Sequence, residues 1–244
     1  MRLTIVLLAL AGGLLAGITL AQASLTVGGT RLIYLESAKE VKVPLSNPES
    51  AEKLAQAWVD DGNPETSPDS ADVPFLIIPP LTRIEGKGTH RLQLIFTQQK
   101  NLPKDRESLF WFNVLDIPPL KTAQTQNYVE LAYRTRIKLF YRPSALTGSV
   151  GQAAESIVWQ LITDAKGYRL KGINSSPYYV SLNRVTLNNA GQRYSQEGEM
   201  IAPAGSTEFI LPELPTFSAE KASIEYEWID DYGAIHHQRG VLQH

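Results

Sequence analysis

From Leu109 to Val114 the chain reads Leu-Phe-Trp-Phe-Asn-Val, and Pro118-Pro119 stand just beyond it. Successive side chains of an extended segment point to opposite faces, so a run that is bulky on both faces has to be covered on both, the pattern of a buried β-strand. Its ends are fixed. Leu102-Pro103-Lys104-Asp105 forms an entry loop into Arg106-Glu107-Ser108, and the two prolines, having no N–H for a ladder, close the exit.

The next segment alternates instead. Val129, Leu131, Tyr133, Thr135, Ile137, Leu139 and Tyr141 are apolar or Thr, while Glu130, Arg134, Arg136, Lys138 and Arg142 fall between them. This is a half-buried strand, expected to run from Tyr128 to Tyr141. Strands usually have about five or six residues, so a small sandwich partners only part of this one. The remainder leaves unpaired backbone groups beside Val129, Leu131 and Tyr133, with no Pro, Lys or bulge to blunt the apolar face. Two readings stay open: a strand whose far half lies under a loop, or an edge made for another chain to join by β-strand addition.

Elsewhere, short β-branched or aromatic runs are punctuated by Pro, Gly and Asn, and no stretch after residue 23 keeps a helical period. The pattern is all-β. In the first half, strands are expected at Leu25 to Tyr34, Val41 to Ser46, Leu54 to Asp60, Phe75 to Ile78, Arg91 to Thr97, Ser108 to Leu115 and Tyr128 to Tyr141, the density of an immunoglobulin-like sandwich. After Arg142-Pro143 comes a small-residue stretch, Ser144 to Gly151, and then a second series: Val158 to Thr163, Tyr168 to Ile173, Tyr178 to Leu187, Glu208 to Leu211 and Ile224 to Trp228. The expected organisation is two immunoglobulin-like β-sandwich domains, 24–145 and 146–244.

Residues 1–23 stand apart from both. Arg2 precedes an uncharged stretch from Leu3 to Leu20, and Ala21-Gln22-Ala23 offers small residues to a signal peptidase, so a secretory signal peptide cleaved after Ala23 is expected, with no membrane insertion afterwards. The 221 residues left bury a core without staples, so the absence of cysteine is tolerable in an oxidising compartment; it also removes thiolate metal sites and cysteine nucleophiles. They carry 22 Lys and Arg against 25 Asp and Glu, which argues against a nucleic-acid partner.

Enzymatic patterns are weak. His236-His237 lacks the i, i+4 spacing of a helical metal site, Gly86-Lys87-Gly88-Thr89 lacks phosphate-loop spacing, and there is no Gly-x-Ser-x-Gly elbow. Asp60-Asp61 and Asp230-Asp231 sit at expected strand ends and read as turn residues. Neither catalysis, metal nor cofactor is expected.

The ordered set Leu102-Pro103, Asp105-Arg106-Glu107-Ser108, Phe112-Asn113 and Ile117-Pro118 resembles the signature of the periplasmic chaperones that assemble pili through the chaperone-usher pathway, the PapD-like family. Ile137 to Pro143, Thr30-Arg31, Ala55-Gln56-Ala57-Trp58, Pro177-Tyr178-Tyr179-Val180 and Asp231-Tyr232-Gly233 extend the resemblance over both halves. It implies two angled lobes in the periplasm that capture pilus subunits, complete them with a donated strand and pass them to an outer-membrane usher. Val129, Leu131 and Tyr133 match the donor strand, and Arg31 and Lys138 the pair that anchors the subunit's C-terminal carboxylate. Glu107, Arg142 and Asp231 match an ion-pair network between the domains. The segment Pro119 to Tyr128, short and without cysteine, resembles the branch serving rod-like pili with tip adhesins. Lys138 is an odd number of residues from Tyr133, so a bulge between them is expected if both meet one partner. The rival readings are an immunoglobulin-like adhesion or carbohydrate-binding module, with exposed loop aromatics and no dependence on Arg31, and a secreted hydrolase on a β scaffold.

Overall fold

The computed structural model describes residues 24–117, 131–164, 167–211, 214, 216–218 and 221–243. The expected signal peptide, the loop Pro119 to Tyr128 and Val129 lie outside these residues. Two β-sandwich lobes follow one another, each around its own apolar core.

The first lobe contains β1 (Thr26–Val27), β2 (Arg31–Leu35), β3 (Val41–Ser46), β4 (Lys53–Asp60), β5 (Phe75–Ile78), β6 (Leu81–Ile84), β7 (Thr89–Phe96), β8 (Ser108–Ile117) and β9 (Tyr133–Arg142). One sheet has the order β1-β3-β7-β5, the other β2-β9-β8-β4-β6. The single strand expected from Leu25 to Tyr34 is two. β1 pairs β3 in one sheet and β2 pairs β9 in the other. The chain crosses at Gly28-Gly29: Gly29 has φ +131°, and a Cβ on Gly28 would lie 2.4 Å from the Pro44 ring. Only glycine makes both turns cheaply. β6, absent from the sequence reading, pairs β4.

Leu109 to Val114 lies in the middle of β8, between β9 and β4. Phe110, Phe112 and Val114 enter the core, where Tyr34, Phe75, Phe96, Phe110 and Tyr141 pack with ring centroids 4.6–6.5 Å apart. Trp111 and Asn113 take the other face of the sheet. A strand covered on both faces thus carries apolar bulk inward and a polar and aromatic network outward.

The second lobe begins with a short helix, α1 (Val150–Glu155), whose Ser149 Oγ accepts the Gln152 N–H at 3.3 Å. At six residues it is too short to leave a periodic signal. Then come β10 (Val158–Asp164), β11 (Gly167–Asn174), β12 (Val180–Asn189), β13 (Gln192–Glu197), β14 (Met200–Ile201), β15 (Gly205–Leu211), β16 (Ala222–Ile229) and β17 (Ile235–Gln243). β13, β14 and β17 were not expected. The last strand joins the layers, pairing β16 along Ile235–Gly240 and running parallel to β10 along Val241–Gln243. Trp159, Leu170, Leu187, Ile201, Ile224 and Tyr226 fill the space between the layers.

Candidate functional site

β9 has two edges with different coverage. One is paired with β8 without interruption from Asp116↔Tyr133 to Ser108↔Tyr141. The other is covered by β2, in parallel, only from Arg31↔Lys138 to Leu35↔Arg142. Among the described residues, no strand borders Tyr133 to Ile137 on that side. Leu131 precedes the strand and is 62 % exposed, and Tyr133 opens it at 47 %. The strand is therefore shorter than expected at its N-terminal end, and Leu131 lies outside its regular part.

The continuous register leaves no bulge between Tyr133 and Lys138. The expectation of one is corrected: Tyr133, Thr135, Ile137 and Leu139 point to the core side, and Arg134, Arg136, Lys138, Phe140 and Arg142 to the other. The second lobe meets this outward face at Lys138, Phe140 and Arg142.

Arg31 and Lys138 sit directly across the β2–β9 pair, at the point where coverage of β9 begins. Arg31 Nη1 donates to Ile229 O at 3.1 Å, Lys138 Nζ to Ser181 Oγ at 3.3 Å, and the buried Arg31 Nε has no hydrogen-bond partner among the described residues. No carboxylate within ion-pair distance accompanies either cation among those residues. Burial, reinforced by the neighbouring Arg31 charge, pushes the Lys138 ammonium from its usual 10.5 down to about 8. Burial also lowers the Arg31 guanidinium, partly offset by Asp231 and Asp230. Two half-buried cations facing each other repel, and an arriving anion would relieve both.

Arg142, at the other end of the β2–β9 pair, joins the lobes. Its Nε donates to Glu107 Oε1 at 2.7 Å, and Nη1 and Nη2 donate to Asp231 at 2.7 and 2.8 Å. Glu107, 2 % exposed, accepts the Tyr179 N–H at 2.8 Å with its second oxygen, and its own N–H donates to Pro177 O at 2.9 Å. Burial works against the Arg142 charge, but hydrogen bonds to Asp231 and Glu107 outweigh it and hold its pKa above the ordinary value. Phe140 packs on Tyr179, centroids 5.6 Å apart, and Arg142 lies over the Tyr178 ring.

The turn between β16 and β17 carries the second lobe's share of this contact. Asp230 accepts N–H groups from Tyr232 and Ala234, as a turn aspartate does, and its other oxygen pairs with His236, which stacks on Trp228 at 4.4 Å. Gly233, at φ +88°, sits so close to Thr30 that a Cβ would lie 2.6 Å from its hydroxyl. His236 thus serves the turn, while His237 lies on the strand face with Nδ1 3.7 Å from Glu227 Oε1.

Asp60 departs from the sequence reading. It does accept the Gly62 N–H as a turn residue, but it is also fully buried and paired with Arg136 and Arg134. Nothing near it in sequence signals this, because its partners lie more than 70 residues away.

Comparison with known proteins shows the family and the fold. Residues 24–147 match the family described as "Pili and flagellar-assembly chaperone, PapD N-terminal domain", and residues 152–240 match "Pili assembly chaperone PapD, C-terminal domain". The probable fimbrial chaperone YadV of Escherichia coli K12 is 39% identical over 214 residues, 86% of this chain and 87% of that protein. The crystal structure of the Pseudomonas aeruginosa CupB2 chaperone superposes with a TM-score of 0.76 at 35% identity, covering 89% of this chain and all of that one. The structure of the Salmonella enterica SafA pilin in complex with the SafB chaperone matches at TM-score 0.74 and 26% identity, covering 92% of this chain and 99% of that one. With both family domains in order along a two-sandwich chain, the protein belongs to the PapD-type pilus-assembly chaperones.

Proposed function

We propose that this chain captures pilus subunits by lending them the open edge of β9, and that Arg31 and Lys138 hold the subunit's terminal carboxylate. One observation carries the reading: among the described residues, the edge of β9 from Tyr133 to Ile137 is unpaired and ends at two adjacent cations that have no counter-ion. A strand joining that edge lies in line with β2. Were it antiparallel to β9, its N-terminus would abut Arg31 and bring an ammonium to two cations. A parallel strand brings its C-terminal carboxylate there instead, and a guanidinium and an ammonium both favour it. The β-ladder supplies affinity, and Leu131 and Tyr133, with Val129 ahead of them, supply side chains to the subunit's interior. The carboxylate ends the added strand, so it need not share a face with those side chains.

Glu107, Arg142 and Asp231 set the angle between domains 24–145 and 146–244, placing the second lobe's Ser181 and Ile229 around the anchor. The family-level partner is a pilin, as in the SafB complex. Residues 1–23 direct the chain to the periplasm and are removed, delivery is to an outer-membrane usher, and the short segment before β9 goes with rod-like fibres bearing tip adhesins. Exchange of one added strand for a better-fitting one supplies the driving force, so no nucleotide is needed.

The test is co-expression with subunits encoded by the same host and purification from the periplasm. Wild type should co-purify with a subunit and folded Arg31→Ala should not; stable complexes of the variant at wild-type yield would overturn the anchor.

A further inference from the structure

The outward side chains of the open segment of β9 are held by a buried carboxylate two strands away. Asp60, at the end of β4, is 0 % exposed. It accepts Arg136 Nη2 at 2.6 Å and Nε at 3.0 Å, Asn113 Nδ2 at 2.8 Å, the Gly62 N–H at 2.8 Å and, more distantly, Arg134 Nη2 at 3.4 Å. Arg134 Nε donates to Asn113 Oδ1 at 3.0 Å, and its Nη1 donates to the Pro64 carbonyl. Each guanidinium also covers an indole: Arg134 lies 4.7 Å from the Trp58 ring and Arg136 4.1 Å from the Trp111 ring.

The register gives this cluster its reach. Arg136 is opposite Asn113 on β8, and Asn113 is opposite Trp58 on β4, so both arginines cross β8 to reach Asp60. Three strands are tied through one network in which the buried Asn113 amide also donates to the Trp111 and Trp58 carbonyls. Trp58 Nε1 donates to Thr66 O, which folds the following loop over the cluster. Burial opposes the Asp60 charge, but Arg136, Asn113 and Gly62 outweigh it and keep the carboxyl below the ordinary range.

Placement separates this cluster from ordinary cross-strand pairing. Arg134 and Arg136 alternate with Tyr133, Thr135 and Ile137, in the part of β9 that, among the described residues, is bordered by a strand on one side only. A segment supported on one edge opens locally more readily than one supported on two. Its ordering cost then falls on the binding step, unless something holds it straight beforehand. We propose that Asp60 is a positioning residue for subunit capture: through Arg134 and Arg136 it holds Tyr133 to Ile137 extended and in register with β8 before a subunit arrives. The grip comes from the outward face alone, leaving the inward side chains and the open backbone edge free. This rests on the strand-addition reading above.

The test uses the full-length secreted protein with Arg136→Met and Asp60→Asn. Arg136→Met keeps an apolar stem on Trp111 and leaves Asp60 its bonds to Arg134, Asn113 and Gly62, so it reports even if Asp60→Asn fails to fold. Amide exchange is followed at 133–137, and a purified, denatured subunit from the same host is diluted into the chaperone to obtain association and dissociation rates. Local exchange should rise and association should slow, each by about tenfold, with dissociation within about twofold. A folded Arg136→Met with wild-type association overturns the positioning role, even if its melting temperature falls, because a purely structural bond lowers stability without changing capture per folded molecule. A wild type that captures no subunit overturns the strand-addition reading and the proposal with it; a wild type that captures beside an equally fast Arg136→Met removes the proposal alone.

Discussion

Replacing Lys138 by methionine should stabilise the free protein while depriving it of subunit capture. Lys138 faces Arg31 with no ion-pair partner among the described residues, and burial together with that charge lowers it from 10.5 to about 8. That difference corresponds to about 3 kcal/mol against the charged form in the folded protein. Methionine forfeits the hydrogen bond to Ser181, worth about 1 kcal/mol. Residual contact with water screens part of what remains, so a net gain of about 1–2 kcal/mol is expected. In a chain of this size that raises the melting temperature by roughly 2–8 °C. The sign can be checked with pH. The unfolded lysine keeps its proton up to about 10.5 and the folded one only to about 8, so wild-type stability should climb through this window and the advantage of methionine should fade. Urea unfolding of both proteins at pH 7 and pH 10, beside periplasmic co-purification with a subunit, measures both halves. A methionine variant less stable than wild type at pH 7, or one that captures subunits normally, would refute the reasoning.

Leu131→Asp should leave the melting temperature within about 1 °C of wild type, because the side chain is 62 % exposed, yet sharply lower the yield of subunit complex in a pull-down. Glu107→Gln should cost about 3 kcal/mol in denaturant unfolding, since the Arg142 charge loses its most buried partner, whereas Asp231→Asn, at the more exposed side, should cost about 1 kcal/mol. Gly233→Ala places a methyl group against the Thr30 hydroxyl in a left-handed backbone conformation and should destabilise by about 1–2 kcal/mol, read by calorimetry; the Thr30→Gly background should recover part of the loss.

Strand identity was legible wherever a strand keeps one face in a core: β3, β4, β5 and β8 fall close to where alternation and flanking turns put them. The Leu25 to Tyr34 segment misled because apolar runs flank the crossing on both sides; Gly28-Gly29 and the change of the buried positions from odd at Leu25 to even at Leu32 and Tyr34 both mark the change of sheet. β17 left little signal because most of its side chains are solvated and its single ladder is shared between two partners. Asp60 was invisible for a different reason. Arg134 and Arg136 read as solvated charges on the polar face of a strand, and only the pairing of β9, β8 and β4 reveals that this face carries a fully buried carboxylate. The expected bulge came from assuming that anchor and donated side chains must share a face. That holds within a strand, whereas the last carboxylate of a chain has no following residue to fix its direction.

The point where β2 begins to cover β9 also makes a measuring device. On the proposed reading, a captured strand is aligned from its terminus backwards, with the Arg31–Lys138 pair as the zero mark. Parity then matters more than length. A subunit extended by one residue at its C-terminus would turn every inward side chain outward, while one extended by two would keep its faces and slide by one pair, about 6.6 Å along the ladder. Odd and even tails should therefore differ more from each other than tails of two and four residues do, which lets a chaperone that never inspects the tail's sequence reject a subunit clipped by a single residue.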